Sequence, residues 1–431
     1  MKTRAHTHAF PGPDDTLRRT LPNGITVLAR ENFASPAVVV NGYVEVGAED
    51  EIPTQAGLSS FTVDVMERGT HKRPFETLYE EVESVGATFG LGSGTHITTF
   101  GGKGLSEQLP FLLDVLSDVL RNPAFAPEQV ERARAEILTD IRERAHDTRR
   151  MATRLFHELT YPESHPYHWS NMGYTETVMP LTRDDLLAFH ERFFAPRGGA
   201  IIVVGAVKAE EAFEAVRRAF GDWQGSRPAR SPLPEVPSLQ EVRKEQAFIA
   251  DKTQSDLQLG WPGPSRDDPD FYACYVANTV LGIFGMMGRL GESVRTASGL
   301  AYYAYSSVSG GQDSGPWRAI AGVNPHNVER AVDLIQKEIE RLREEPVPQE
   351  ELEDSQSFLT GRLPLQLETN EGVAHALINI ERYGLGLDYL QRYAELIGAV
   401  TVEDVQGVAQ RWLDPEHYSL AIAGPQLDEA E

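Results

Sequence analysis

The stretch Leu181–Val207, LTRDDLLAFHERFFAPRGGAIIVVGAV, returns in Val400–Gln426 as VTVEDVQGVAQRWLDPEHYSLAIAGPQ. A single offset, the one that sets Thr182 on Thr401, aligns the two without a gap. Asp185 then falls on Asp404, Arg192 on Arg411, Phe193 on Trp412, Pro196 on Pro415 and Gly205 on Gly424. Each copy reads as a capped helix, a turn at proline and a strand. The threonine offers an N-cap oxygen and the acid three positions on completes a capping box. Ala200–Val204 and Ser419–Ala423 are short apolar runs of strand length.

A second pair agrees. Asn122-Pro-Ala-Phe-Ala-Pro127 precedes one long helix of mixed charge, and Glu345-Pro-Val-Pro348 precedes another at nearly the same offset. The chain therefore reads as two homologous halves of about 200 residues, residues 14–223 and 241–427. Between them lies QGSRPARSPLPEVPSLQ, residues 224–240, whose four prolines forbid helix or sheet interior and favour an extended linker. In the first half, Asn23-Gly24 opens a strand over ITVLARE, and a second follows from Ala37. Helices are expected over Gln55–Arg68 and through LYEEVESVG, with strands near Ala87 and His96. A helix from Leu105 would carry Leu105, Leu109, Leu112, Leu113, Leu116 and Leu120 on one face. Strands cluster early and helices follow. That order predicts an α+β fold, each half a mainly antiparallel sheet packed with helices.

The chain has 431 residues, 41% hydrophobic and 24% charged, a composition of globular proteins. Its apolar runs are far shorter than a membrane span, and the N-terminus lacks an apolar signal core. Cys274 is the only cysteine, so no intrachain disulfide forms and a reducing, cytoplasmic setting is expected. Acidic residues exceed basic ones by 64 to 40, a net charge of −24, which argues against nucleic-acid partners.

Two further segments carry the functional reading. Gly57–Thr70 reads GLSSFTVDVMERGT. It has the frame of an inverted zinc-peptidase helix, G-L-x-H-x-x-E-H-x-x-x-x-G-T, through Gly57, Leu58, Gly69 and Thr70. The ligand positions hold Ser60 and Asp64, and the base position holds Val63. Zinc sites of this kind need imidazole or thiolate donors, and valine accepts no proton. Leu281–Ser307 reads LGIFGMMGRLGESVRTASGLAYYAYSS. Arg289, Leu290, Val294, Arg295, Gly299, Leu300, Ala301 and Tyr302 fall in order on L-G-G-x-x-x-S-R-L-x-x-x-L-R-x-x-x-G-L-A-Y.

With the repeat and the linker, these segments resemble the pitrilysin/insulinase family of zinc peptidases, and within it the short-chain type that includes mitochondrial processing peptidase. The resemblance covers nearly the whole chain. It implies that Arg295 and Tyr302 form a substrate-binding and catalytic pair. An arginine fork can hold a peptide carbonyl or carboxylate in fixed geometry. A tyrosine hydroxyl can donate to the oxyanion that develops on the attacked carbonyl. Alternation along a strand would turn Tyr303 to the opposite face. Gly282, Gly285 and Gly288 precede the pair at every third position and would let backbone approach an extended peptide.

Some family members are pairs of unlike subunits, one bearing zinc and the other the Arg/Tyr pair. The resemblance implies the second role: no metal or cofactor in this chain, zinc in a partner subunit, and an unfolded peptide as substrate. A homodimer is the expectation where the partner is absent. The alternative is a catalytically silent scaffold of the same fold. At the third-ligand spacing stands Asp140, with Glu136 the nearby alternative. His165 and His168 sit around Pro166 with no third ligand near in sequence, and read as ordinary loop histidines.

Overall fold

The computed structural model describes residues 10–426. In chain order the elements are β1 (Thr16–Thr20), β2 (Thr26–Glu31), β3 (Ala37–Val44), α1 (Leu58–Met66), α2 (Phe75–Ser84), β4 (Thr88–Ser93), β5 (Thr98–Leu105), α3 (Leu109–Arg121), α4 (Pro127–Ala145), α5 (Thr148–Thr160), α6 (Thr175–Val178), α7 (Arg183–Phe193), β6 (Ala200–Gly205) and α8 (Ala209–Phe220). The second half holds β7 (Arg243–Phe248), β8 (Ser255–Pro262), α9 (Phe271–Gly282), α10 (Phe284–Leu290), a π-helix over Gly291–Ala297, β9 (Ala301–Val308), β10 (Pro316–Val323), α11 (Val328–Glu344), α12 (Gln349–Gln366), α13 (Asn370–Arg382), α14 (Tyr389–Gly398), α15 (Val402–Trp412) and β11 (Ser419–Gly424). Residues 224–240 have no regular structure, as their prolines require.

The chain forms two compact units. The first runs through Ile141, then Ser170–Ser231 and Leu363–Arg392; the second is Arg142–Trp169, Pro232–Arg362 and from Tyr393 on. Neither follows chain order alone. The first unit contains α13 from the second half of the sequence, and the second contains α5 from the first half.

In the first unit the strand order is β1-β2-β6-β3-β5-β4. β2 and β6 pair in parallel, and every other pair is antiparallel. β3 is apolar at most positions because both its faces are covered. Val38, Val40 and Val44 join a core with Phe61 of α1, Leu112, Leu113 and Leu116 of α3 and Val216 of α8. On the other face lies α13. The helix after β5 begins at Leu109, not Leu105: Leu105 is the last residue of β5 and is exposed. Leu109, Leu112, Leu113, Leu116 and Leu120 are buried as expected.

The second unit repeats this plan, with strand order β7-β11-β8-β10-β9. β7 and β11 are its parallel pair. One sheet face packs on a core of Leu257, Leu259, Trp261, Ala277, Trp317 and Ile335. The other face is covered by α5, whose Met151, Ala152, Leu155 and Phe156 meet Ile249, Ala421 and Ala423. The capping boxes lie where the repeat puts them, Thr182 with Asp185 on α7 and Thr401 with Asp404 on α15. The matched glycines end β6 and β11 against the first residues of β3 and β8. A Cβ on Gly205 would lie 2.3 Å from the Ala37 carbonyl oxygen, and one on Gly424 would lie 2.1 Å from the Ser255 hydroxyl. Among the described residues no helix is long and apolar enough to cross a membrane.

Candidate functional site

α1 is shorter than its pattern suggested, because Gly57 takes a left-handed conformation (φ 98°) at its N-cap. Glu51 closes that end. Its carboxylate accepts the Gly57 and Ser59 N–H groups at 2.9 and 2.5 Å, and burial pushes its carboxyl up to about 8. Val63, at the base position, is part of the apolar core. Asp64 faces a cation. Arg68 Nη2 lies 3.2 Å from one Asp64 oxygen and 3.4 Å from the other, and donates to Glu136 Oε2 of α4 at 2.6 Å. Glu136 faces solvent on α4 and is ion-paired there; Arg132 also donates to it, at 3.2 Å. Burial raises the Asp64 carboxyl, whereas the Arg68 hydrogen bond lowers that of Glu136.

Beside this triad is a cavity of about 200 Å³, lined also by Glu67, Phe75 and Tyr79. Glu67 accepts the Leu91 N–H of edge strand β4 at 2.5 Å, and burial pushes its carboxyl up to about 7. Asp140 is exposed on α4, and no described hydrogen bond joins it or Ser60 to Asp64. Among the described residues no three His, Cys, Asp or Glu side chains converge on a metal position. Zinc does not fit these donors. The set is a hydroxyl and one carboxylate, and that carboxylate already faces a guanidinium.

In the second unit, Arg295 lies in the last turn of the π-helix, a helix type found often at functional positions. The turn through Gly299 (φ +62°) leads into β9, the edge strand that carries Tyr302. β9 has a bulge there. Tyr303 pairs with Gly322, but the next paired residue is Ala301 with Val323, so Tyr302 is the extra residue. A bulge re-aims the side chain that it inserts. Tyr302 is 68% exposed. Among the described residues nothing hydrogen-bonds its hydroxyl or pairs with the Arg295 guanidinium.

Tyr303 lies under α5, as alternation predicts, and its hydroxyl donates to buried Asp256, which also accepts from Thr148. Arg149 lies over the Tyr303 and Tyr305 rings at 5.2 and 5.7 Å. The three glycines differ. Gly282 is buried in α9, and a Cβ there would lie 2.1 Å from the Ser306 nitrogen of β9; its role in the structure is close helix–strand packing. Gly285 and Gly288 have φ of +60° and +64°. A Cβ on Gly288 would meet the Val280 carbonyl oxygen at 2.6 Å, whereas one on Gly285 would meet nothing within 4 Å. Arg289 fixes the end of this segment through two hydrogen bonds to Glu351, 2.8 and 2.6 Å.

His165 is fully buried. Its Nε2 lies 3.0 Å from Asp313, and its Nδ1 accepts the Tyr167 N–H. His168 Nδ1 contacts the Tyr161 carbonyl. Both are structural. The sequence reading does not single out Arg68, whose guanidinium pairs with both Asp64 and Glu136. The signal for this pair is local, since an arginine four residues after Asp64 shares its helix face.

Two family models match the chain. Residues 26–168 match the insulinase (peptidase family M16) model, and residues 180–359 match the peptidase M16 inactive domain. Among relatives, an uncharacterised zinc protease of Streptomyces coelicolor is 28% identical over 419 residues, 96% of this chain and 90% of the relative. A probable mitochondrial-processing peptidase subunit beta of Arabidopsis thaliana is 24% identical over 433 residues, 98% of this chain and 81% of the relative. Among solved structures, a peptidase M16 inactive domain from Pseudomonas fluorescens superposes with a TM-score of 0.88 at 22% identity, covering 96% of this chain and 99% of that one. A protease from Helicobacter pylori reaches 0.87 at 20% identity, covering 96% and 100%. At such identities the structural likeness is one of fold. The chain belongs to the pitrilysin/insulinase family, and its zinc motif is an inactive one.

Proposed function

We propose that this chain is the non-zinc subunit of a heterodimeric peptidase, supplying Arg295, Tyr302 and the Gly285–Gly288 segment to a peptide that is cut at a zinc-bearing partner chain. The observation that carries this reading is the state of the pair. Tyr302 projects from a bulge on an edge strand and Arg295 stands in a π-turn. No structural partner engages either side chain among the described residues. Arg295 would hold a carbonyl or carboxylate of the extended peptide. Tyr302 would donate to the developing oxyanion. The zinc and the glutamate base would belong to the partner; the mitochondrial-processing peptidase name of one relative is consistent with a two-subunit arrangement.

The test is co-purification with a chain that bears an intact H-x-x-E-H helix, followed by peptide-cleavage assays. This chain alone should be inactive and hold no stoichiometric zinc after dialysis. In the active complex, Tyr302→Phe should reduce kcat by about 10- to 1000-fold, by comparison with loss of one oxyanion donor elsewhere. Arg295→Ala should act more on KM, because it binds ground state and transition state alike. Unchanged turnover in both variants of a verified complex would leave the scaffold reading as the better one.

A further inference from the structure

We infer that the first unit carries a socket for arginine side chains, filled by the chain's own linker as a displaceable ligand, so that an arginine-bearing extended segment of another chain enters only when the linker leaves. The inference rests on the first unit alone and does not depend on Arg295 or Tyr302.

The socket is built without the linker. Between β3 and α1 the chain makes one tight turn over Ala48–Asp50. The Ala48 and Glu49 N–H groups donate to the Gly94 and Thr95 carbonyls of the β4–β5 turn at 3.0 and 2.9 Å, and the Gly47 N–H donates to Asp50 Oδ2 at 3.1 Å. The Glu49 and Asp50 side chains are 5% and 6% exposed, and the His96 ring lies against Glu49. Two buried carboxylates side by side lose hydration and repel, so they need cations. The linker supplies them. Among residues 224–232 only Arg227 and Arg230 are not exposed. Arg227 Nη2 donates to Asp50 Oδ1 at 2.5 Å; Arg230 pairs with Glu49 and donates to the His96 carbonyl. Among the described residues no backbone–backbone hydrogen bond holds this stretch. It is bound by two side chains three positions apart, on a backbone that proline keeps extended.

The energy balance makes this ligand displaceable. Arg73, in the same unit, belongs to a fixed cluster: it donates to Glu81, Asp114 and Asp118, and its acidic partners together outweigh burial and raise its pKa. Arg227 is the reverse. Burial outweighs Asp50 and lowers its pKa, and burial raises the Asp50 carboxyl in spite of both arginines. Arg227 Nη1 is buried with no hydrogen-bond partner among the described residues. A buried ion pair so incompletely satisfied adds little to stability. What it supplies is recognition, because a planar guanidinium with several fixed donors fits two carboxylates as a lysine does not. The net charge of −24 adds a long-range attraction for basic segments.

Limited trypsin digestion of the full folded chain, read by mass spectrometry, tests the linker contact. Trypsin can cut the Arg230–Ser231 bond only while the Arg230 side chain is out of the socket, so cutting there tracks the open population. Asp50→Asn should speed that cut by about tenfold or more, while cuts inside the sheets keep their wild-type rates. The peptide GSRPARSP, which repeats residues 225–232, tests the socket. Labelled with fluorescein, it should bind the Arg227→Gln/Arg230→Gln chain in anisotropy titrations. It should bind the wild-type chain several-fold more weakly, since the tethered linker competes at an effective concentration of about a millimolar. The same peptide with alanine for both arginines should bind neither. If the double variant does not fold, the peptide with proline after its second arginine, which trypsin cannot cut, is added to the wild-type digestion and should speed the cut at Arg230. Equal cutting at Arg230 in wild type and Asp50→Asn would overturn the proposal. So would a peptide that neither binds the vacated chain nor speeds that cut, which would leave only a contact within the chain.

Discussion

At Tyr302 the edge strand carries one residue more than its neighbour, and a phenol is left in solvent with no bond to lose. The next residue is in the opposite state. The Tyr303 hydroxyl is one of the few donors available to Asp256, which is 2% exposed. Tyr302→Phe should therefore leave Tm within about 1 °C of wild type, since surface changes away from packing are nearly neutral. Tyr303→Phe should destabilise the chain by about 1–3 kcal/mol, because it takes a donor from a buried acid. Equal melting temperatures for the two variants would refute this division. Tyr303→Phe is for the same reason a poor neutral control in any activity assay. Glu67 gives a residue-scale prediction in pH. Burial pushes its carboxyl from 4.5 up to about 7, so the folded chain keeps a proton that the unfolded chain releases. That contribution to stability is complete below the unfolded pKa and is lost as pH rises through about 7. Glu67→Gln cannot titrate, and its stability relative to wild type should climb between pH 5 and 8 in denaturant titrations. A flat difference would show that Glu67 is ionised in the fold.

The glycine-rich segment before Arg295 makes sense as a set of elements. α9 ends at Gly282, pressed onto β9, and α10 leads into the π-helix, held at Arg289 by Glu351. Alanine at the three glycines should separate structural from functional roles. Gly282→Ala drives a methyl group into the Ser306 backbone and should be the most damaging, by several kcal/mol or loss of folded protein. Gly288→Ala combines a left-handed φ with a 2.6 Å contact and should rank next. Gly285→Ala has open space and should cost about 1 kcal/mol, the left-handed backbone penalty alone. Chemical denaturation of the three variants gives the order. A different order would mean that the segment takes another backbone conformation. If Gly285→Ala folds normally yet weakens peptide binding in the complex, a role in substrate approach is supported for that glycine.

For the whole molecule, the decisive feature is the exchange of α5 and α13. They occupy matching places after α4 and α12, and each covers a sheet built from the other half of the sequence. A fragment ending in the linker would lack α13 and bare the second face of β3 and β6. Its partner would lack α5 and bare Ala421, Ala423 and the polar row of Asp256 and Gln258. Fragments cut near residue 232 should aggregate when expressed singly and give a soluble 1:1 complex when co-expressed, measured by sedimentation. Two fragments that each unfold cooperatively alone would contradict the exchange. The physical ground is that an uncovered sheet face of this size cannot stay in water without association.

The amino-acid sequence by itself determined the repeat, the α+β class and the loss of the zinc ligands. All three are local. A capping box, an apolar run and a missing histidine are legible within a few residues, and the 219-residue match joins Thr182 to Thr401 without any knowledge of space. It also located Arg295 and Tyr302 as a candidate pair. What only the tertiary structure decided depends on partners distant in the chain. That Arg68 also ties its helix to Glu136 of α4, 68 residues away, is visible only in space. That Tyr302 is free while Tyr303 is committed turns on a bulge against β10 and on Asp256. The parallel pairs β2–β6 and β7–β11 bring together strands more than 170 residues apart. A helix that leaves its own half to cover the other leaves no mark in local pattern, because its apolar face is the same whichever sheet it buries against.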